Sequence, residues 1–352
     1  MKGVVLAGGA GTRLRPITYS MAKQLVPVGN KPILFYGLED MAEAGVTEVG
    51  IIISPETGDE VRRAVGDGSG QGVAVSYIVQ DAPLGLAHAL KTALPFVEGD
   101  DVLMYLGDNL VKGGIADVVA DFERDRPNCQ ILLHEVENPS EFGVAELDPA
   151  GRVLRLVEKP KNPASNLALV GVYLFDATVE NAIDAIKPSA RGELEITDAI
   201  QELVDSGMEV RASTVREWWK DTGKKADLLH ANELVLQDLE TVVEGELINT
   251  SVQGPVHIEA GARVVNCVIT GPAVIGRDAH LTRTLIGPNS AVGDRCRLSD
   301  ATIEDSIILE GAEVHGWKLR DSLLGRGARL HGSAPGSFVE MTLGELSEII
   351  GE

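Results

Sequence analysis

From about residue 250 to residue 332, one aliphatic side chain returns every five or six positions: Ile269, Ile275, Leu281, Ile286, Val292, Leu298, Ile303, Ile308, Val314, Leu319, Leu324 and Leu330. A helix repeats its buried face at 3.6 residues and a strand at two, so neither period fits. Several of these residues lead into tight polar corners, as in Ile275-Gly276-Arg277, Ile286-Gly287-Pro288, Val292-Gly293-Asp294 and Leu324-Gly325-Arg326. One inward aliphatic per hexapeptide, with three faces per coil, describes a β-helix of about four or five coils between residues 250 and 332. A generic small β-domain is the plainer alternative. From Ser333 a Pro- and Gly-containing tail follows, in which Leu343 to Ile350 reads as a short helix.

Before about residue 240 the pattern is different. Lys2 to Ala7, Glu48 to Ser54, Val73 to Val79 and Asp101 to Leu106 read as buried strands. Helical stretches over Lys31 to Ala44, Pro55 to Val65 and Leu84 to Leu94 separate them. This βαβ rhythm predicts an α/β domain with a largely parallel sheet covered on both faces. Ligands of such sheets bind at the carboxyl ends of the strands. Two segments stand there: the glycine-rich turn Leu6-Ala7-Gly8-Gly9-Ala10-Gly11-Thr12-Arg13-Leu14, and Gly107-Asp108-Asn109.

Backbone N–H groups in a glycine-rich turn can reach phosphate oxygens. Arg13 and Lys23 follow within about one helix length and can hold charge that moves between phosphates. The turn is not a dinucleotide fingerprint, because Gly9-Ala10-Gly11-Thr12-Arg13-Leu14 lacks the third glycine. It is not a Walker A loop either, since no Gly-Lys-Ser/Thr occurs in the chain. Asp108, ending an apolar strand, suits Mg²⁺, which takes oxygen ligands; a turn or cap role is the structural alternative. Asp221, in Trp218-Trp219-Lys220-Asp221-Thr222-Gly223, completes a metal pair only if the fold brings it beside Asp108, and otherwise caps a helix. Glu158-Lys159 ends a further strand, where a carboxylate can accept from sugar hydroxyls while the lysine meets a phosphate. Arg191-Gly192-Glu193-Leu194-Glu195-Ile196-Thr197-Asp198 has helix-start character and reads as mainly architectural.

The net charge of −22 argues against broad binding to nucleic acid or to an anionic membrane. It leaves room for a small anionic substrate in a locally basic cleft. Cys129, Cys267 and Cys296 are odd in number and far apart, which predicts reduced buried thiols rather than disulfides or a zinc site. The opening apolar run is too short for a signal peptide, and no stretch nears the ~20 apolar residues of a membrane span. A soluble cytoplasmic protein is expected.

With Arg13 and Lys23 in place, Leu-Ala-Gly-Gly-x-Gly-Thr-Arg-Leu closely resembles the sugar-phosphate nucleotidyltransferase family. Together with Gly-Asp-Asn at 107–109, Arg-Gly-Glu-Leu-Glu-Ile-Thr-Asp at 191–198 and Trp-x-Asp-Thr-Gly at 219–223, the likeness runs through residues 1 to about 235. It points to the thymidylyltransferases that act on glucose 1-phosphate, in the long form of actinobacterial deoxysugar pathways. The resemblance implies a Rossmann-like nucleotidyltransferase domain over 1–240, a left-handed β-helix over 241–332 and a tail over 333–352. It implies reaction of dTTP with glucose 1-phosphate, a Mg²⁺ cofactor held by Asp108 and Asp221, and a homo-oligomer. Leu6, Gly8, Gly9, Gly11, Thr12, Gln80 and Gly85 are then the nucleotide contacts. Asn109, Gly143, Glu158, Lys159 and Val170 are the sugar-phosphate contacts, and Arg13, Lys23 and Lys159 the catalytic cations. Phe142 stands where the family often has Tyr, and Lys220 where an apolar residue is common. UTP or another hexose 1-phosphate remains an alternative. So do a second, acetyltransferase activity using His257, His280, His315 or His331, and a catalytically silent regulatory subunit.

Overall fold

Strand Lys2–Leu6 (β1) is apolar after its opening lysine, with Val4 and Val5 fully buried, and Glu48–Ile53 (β2) repeats the pattern after its opening glutamate. Such continuous apolar runs belong in the middle of a sheet covered on both faces. The computed structural model describes residues 1–332 and 336–351 and places both strands there. Ala74–Val79 (β3), Val102–Leu106 (β4), Asn109–Val111 (β5), Cys129–Glu135 (β6), Gly143–Leu147 (β7), Val153–Glu158 (β8), Leu167–Phe175 (β9), Val210–Thr214 (β10) and Trp219–Asp221 (β11) follow. The main sheet runs β8-β7-β9-β4-β1-β2-β3, and β6 joins β9 to β10.

The expectation of a largely parallel sheet holds for β4-β1-β2-β3, whose pairs are all parallel. It fails for the second half, where β9 runs antiparallel to β4, β6 and β7, and β7 antiparallel to β8. The physical reason is the lack of a crossover helix between β7 and β8. Their connection is a tight turn in which Asp148 Oδ1 accepts from the Ala150 and Arg152 amides, and short turns join only antiparallel neighbours. Helices Ile33–Glu43 (α1), Gly58–Val65 (α2), Leu86–Val97 (α3), Ala116–Asp125 (α4), Val179–Ala185 (α5) and Ile196–Asp205 (α6) lie between the strands. Helix α1 starts at Ile33 rather than Lys31, because Lys31 and Pro32 pair with Val28 and Pro27 in a hairpin.

The chain forms two compact units that do not follow its linear order. One comprises residues 1–9 and 33–221; the other comprises residues 10–32 and 222–352. The second begins with the loop that carries Arg13 and Lys23, and continues through helix Lys225–Leu236 (α7) into the repeat.

Three parallel ladders make up the repeat, as a left-handed β-helix requires. One climbs from Val242–Val243 to Thr342–Leu343, one from Glu246–Ile248 to Glu348–Ile350, and one from Ser251–Gln253 to Lys318–Arg320. Val256 pairs with Ala273 and Ala273 with Ser290, a 17-residue coil; Ile307 pairs with Leu323, a 16-residue coil. Every aliphatic of the sequence pattern from Ile269 to Leu330 is at most 1% exposed. Corner residues Asn249, Asn266, Arg283 and Asp300 share a left-handed backbone, a conformation that Asn and Asp adopt more readily than most. Each buried aliphatic contributes about 1.5–3 kcal/mol, whereas an exposed pair such as Arg283–Asp300 at 2.7 Å adds roughly 0–1 kcal/mol. The apolar stack therefore carries this unit.

Two expectations need correction. Between 250 and 332 each ladder holds five strands, within the expected count, but the repeat does not stop at those bounds: two ladders hold seven strands each and extend beyond both 250 and 332. The expected helix over 343–350 is absent, because Thr342–Leu343 and Glu348–Ile350 add strands to Leu323–Leu324 and Arg329–His331. Leu343 and Ile349 gain burial there against the preceding coil. Residues 333–335 and 352 of the expected tail lie outside the described residues. All three cysteines are free and buried, and among the described residues no helix is long and apolar enough to cross a membrane.

Candidate active site

Leu6 of β1 pairs with Leu106 of β4, so Gly8-Gly9 and Gly107-Asp108 leave adjacent parallel strands at the same edge of the sheet. The Gly107 amide donates to the Leu6 carbonyl at 3.0 Å, and a Cβ on Gly107 would stand 2.9 Å from that oxygen. Glycine is thus what lets Asp108 follow so closely. Beyond it, β5 and β11 form a separate two-stranded ribbon with Asp221 opposite Asn109. The ribbon thus sets Asp221 opposite the residue that follows Asp108 in the chain. Among the described residues no cluster of three or more carboxylate, His or Cys ligands exists. Two carboxylates suit Mg²⁺ all the same, since it keeps several waters and substrate oxygens in its shell.

Asn109, expected as a sugar-phosphate contact, has a different side-chain environment. It is 2% exposed, donates from Nδ2 to Asp108 Oδ1 at 2.8 Å, and accepts from Trp219 Nε1 at 2.6 Å. A buried indole N–H needs an acceptor, and here its acceptor is the amide that orients a carboxylate. Trp219 escaped the sequence reading, although alternation along β11 puts it on the same face as Asp221. The Phe142 ring meets Trp219 edge-on with centroids 5.2 Å apart, so the missing phenol is replaced here by a packing role. Lys220 pairs with Leu110 and projects to the other face of the ribbon from Asp221.

Glu158 and Lys159 end β8. Lys159 has φ of 41°, which turns the chain at the strand terminus, and its amide donates to the Phe142 carbonyl at 3.0 Å. Glu158 receives weak contacts of 3.4 Å from Thr197 Oγ1 and Arg191 Nη2. Burial raises its pKa; Lys159 opposes that shift, while the neighbouring Glu195 adds to it. Gly143 fits the same corner, since a Cβ there would stand 2.6 Å from Thr197 Cγ2 and 3.2 Å from Glu158 Oε2. A cavity of about 900 Å³ is lined by Glu158, Lys159, Lys161, Arg191, Glu195 and Asp198, among others. Arg191 does more than open a helix: it grips the nearly buried Glu195 through both carboxylate oxygens, at 2.9 and 2.8 Å. The Val170 side chain is fully buried, so only its backbone could serve a ligand. It lies where the β9–β6 register shifts between Leu169 and Tyr173.

Gln80 follows β3, its amide donating to the Ile53 carbonyl at 2.9 Å. Gly85 precedes α3 with φ of 107°, and a Cβ there would stand 2.3 Å from the Leu194 carbonyl oxygen. Only glycine fits at that position.

In the second unit, Gly11 has φ of 58°, and its carbonyl accepts from Thr18 Oγ1 at 2.7 Å. A Cβ on Gly11 would stand 3.0 Å from Lys23 Cβ, so the glycine lets the loop fold onto the Lys23 stem. Thr12 and Arg13 sit on an exposed 3₁₀ turn, Thr12–Leu14, whereas Lys23 is 7% exposed. The Arg13 guanidinium lies against Gly223, where a Cβ would meet Nη2 at 2.7 Å. The Pro27–Pro32 hairpin turns at Gly29-Asn30 and is anchored at its tip. Asn232 of α7, fully buried, accepts from the Gly29 amide at 2.8 Å and donates to the Asn289 carbonyl at 2.9 Å. Asn30 Nδ2 donates to the Val292 carbonyl at 2.8 Å. The loop that carries Arg13 and Lys23 is thus tied to the β-helix by asparagine side chains that bond to main-chain groups.

The Nucleotidyl transferase family model matches residues 2–238. The chain belongs to that family. This nucleotidyltransferase is 50% identical to a glucose-1-phosphate thymidylyltransferase of Streptomyces antibioticus, across 99% of both chains. It is 45% identical to the low-salt glycan biosynthesis nucleotidyltransferase Agl11 of Haloferax volcanii, again across 99% of both. A shorter likeness, 40% identity to a Mycolicibacterium smegmatis glucose-1-phosphate thymidylyltransferase, covers 67% of the nucleotidyltransferase and 82% of that relative. A Bacillus anthracis crystal structure, described under the same enzyme name and holding sucrose, superposes with a TM-score of 0.64 at 37% identity. It covers 69% of this chain and is itself covered over 97%.

Proposed function

We propose that this nucleotidyltransferase transfers a thymidylyl group from dTTP to glucose 1-phosphate, forming dTDP-glucose and releasing pyrophosphate. The observation that carries the reading is the end-to-end likeness, at 50% identity, to a relative of that name. The phosphate oxygen of glucose 1-phosphate attacks the α-phosphorus of dTTP in line. A new P–O bond forms, and the bond to the β-phosphate oxygen breaks. No covalent intermediate with the protein is needed, so catalysis consists of positioning and charge stabilisation.

The roles follow from the chemistry of each side chain. Arg13 stabilises the departing pyrophosphate, Lys23 the triphosphate, and Lys159 the phosphate of glucose 1-phosphate. Glu158 accepts hydrogen bonds from sugar hydroxyls, with backbone groups of Gly143 and Val170 beside it. Leu6, Gly8, Gly9, Gly11 and Thr12 surround the nucleotide with backbone, while Gln80 and Gly85 read the base. Asp108 and Asp221 would hold Mg²⁺, which supplies charge neutralisation at the phosphates. Asn109 serves by orienting Asp108 rather than through its own amide on the sugar.

The test is pyrophosphate release with Mg²⁺, crossing dTTP and UTP with glucose, galactose and glucosamine 1-phosphates. Preference for dTTP with glucose 1-phosphate is the expected result. Preference for another pair would keep the mechanism and replace the substrates, and the 45% identity to Agl11 makes that the second reading. Release with no pair would leave the regulatory-subunit reading. We further propose a cytoplasmic homo-oligomer assembled through the β-helix. Sedimentation of the full chain tests the assembly, and a monomer at assay concentration would refute it.

A further inference from the structure

The first turn of α3 presents two hydrogen-bond acceptors to the Gln80 side chain. Gln80 Nε2 stands 2.9 Å from His88 Nδ1 and 3.4 Å from the Gly85 carbonyl oxygen. A carbonyl oxygen can only accept, so the end of the amide facing Gly85 is its NH₂. That assignment fixes the ring as well. The NH₂ donates to Nδ1, which must carry a lone pair, and the imidazole proton resides on Nε2. Gly85 O itself is held in place by the Ala89 amide at 3.1 Å, and the Gly85 backbone by its contact with Leu194. With its nitrogen committed, Gln80 has its carbonyl oxygen Oε1 left to offer a ligand.

We propose that His88 is a specificity-determining positioning residue, which turns the Gln80 amide so that an acceptor rather than a donor meets the nucleobase. This rests on Gln80 reading the base, as set out above. A base with an N3–H, such as thymine or uracil, donates to Oε1. Cytosine, whose N3 carries a lone pair, meets a second acceptor and is rejected. An amide released from His88 can rotate and offer its NH₂ instead, which suits cytosine. His88 thus sets which face of a symmetric-looking side chain does the reading.

The experiment compares kcat/KM for dTTP and dCTP, each with glucose 1-phosphate, in the full chain. His88→Leu removes the acceptor and should lower the dTTP-to-dCTP ratio about tenfold, the scale of one hydrogen bond. The change should fall on the KM for nucleotide, leaving the KM for glucose 1-phosphate in place. His88→Asn keeps a polar atom near the Nδ1 position and should retain the discrimination. If His88→Leu does not fold, His88→Gln replaces it, because its polar end falls nearer Nε2 and the ratio should drop as for Leu. Gln80→Ala is run alongside. If it collapses the ratio while loss of the His88 acceptor does not, the role of His88 is overturned and the base-reading by Gln80 stands. If Gln80→Ala leaves the ratio unchanged, that base-reading fails and the inference fails with it.

Discussion

Replacing Trp219 by Phe removes one proton donor and little else. The Trp219 indole N–H is bonded to Asn109 Oδ1 at 2.6 Å, and Asn109 in turn holds Asp108 at 2.8 Å. Phenylalanine keeps an aromatic ring to face Phe142. It leaves Asn109 Oδ1 buried without its donor, a cost of about 1–3 kcal/mol. For a unit of this size each kcal/mol lowers Tm by roughly 2–4 °C, so thermal unfolding should fall by several degrees. The larger effect should be functional. Loss of a group that orients a metal-binding side chain typically costs about 10–100-fold in metal affinity or activity. Pyrophosphate release, titrated with Mg²⁺ at saturating substrates, should show half-activation displaced upward by about that factor. Saturating Mg²⁺ should recover much of kcat, because Asp108 itself is intact. A lowered Tm with an unchanged Mg²⁺ curve would refute the reasoning and reduce the relay to a structural contact.

Other expectations can be checked with the same assays. Arg13→Ala should lower kcat/KM by about two to three orders of magnitude, given ~4 kcal/mol for a charge pair at ~4 Å in an effective dielectric of ~20; wild-type turnover would remove Arg13 from the reaction. Asn232→Ala leaves the Gly29 amide and the Asn289 carbonyl without their partner and should cost about 1–3 kcal/mol for each, read by calorimetry, with a fall in kcat as the loop loosens. Gly85→Ala should destabilise by about 3 kcal/mol or more, since it combines a glycine-only backbone with a clash against Leu194; an unchanged Tm would contradict the geometry. Burial raises the Glu158 pKa, so the folded state retains its proton where the unfolded chain has lost it. Stability contributed by that protonated form is present at low pH and declines as pH rises from the ordinary carboxylate range through the raised value. Glu158→Gln should therefore lose less stability than wild type over that window, and parallel stability curves would sink the argument.

Much of this was legible in the residues because it is local. The strand ends, the glycine turn and the hexapeptide aliphatics are each set by neighbours a few positions away. What was missed depends on partners far along the chain. Asn109 looks like a ligand contact beside Asp108, but its environment is decided by Trp219, 110 positions distant. His88 lies within the helical stretch Leu84 to Leu94, and its approach to Gln80 at 2.9 Å depends on how that helix packs beside β3. The helix expected over 343–350 gives way to strands because Leu343 and Ile349 stand six apart, the spacing of the repeat, and the preceding coil supplies the surface they pack against. The antiparallel half of the sheet is decided by its connections: a tight turn at Asp148 forbids the parallel pairing that a helix would allow.

The hairpin at Pro27–Pro32 meets the β-helix directly at the Val292 carbonyl and, by way of Asn232, at the Asn289 carbonyl, not through the side chains of those two residues. Side-chain identity on those coils is then free to drift, whereas coil length is not. A relative's β-helix with different residues but the same 17-residue spacing could be grafted on and still receive Asn30 and Asn232. A single inserted residue ahead of Asn289 would displace both acceptors and cut the loop adrift. The lineage of such chains should therefore tolerate substitution in these coils and purge insertions, and a chimera cut at the visible change of sequence near residue 240 should survive or fail on register alone.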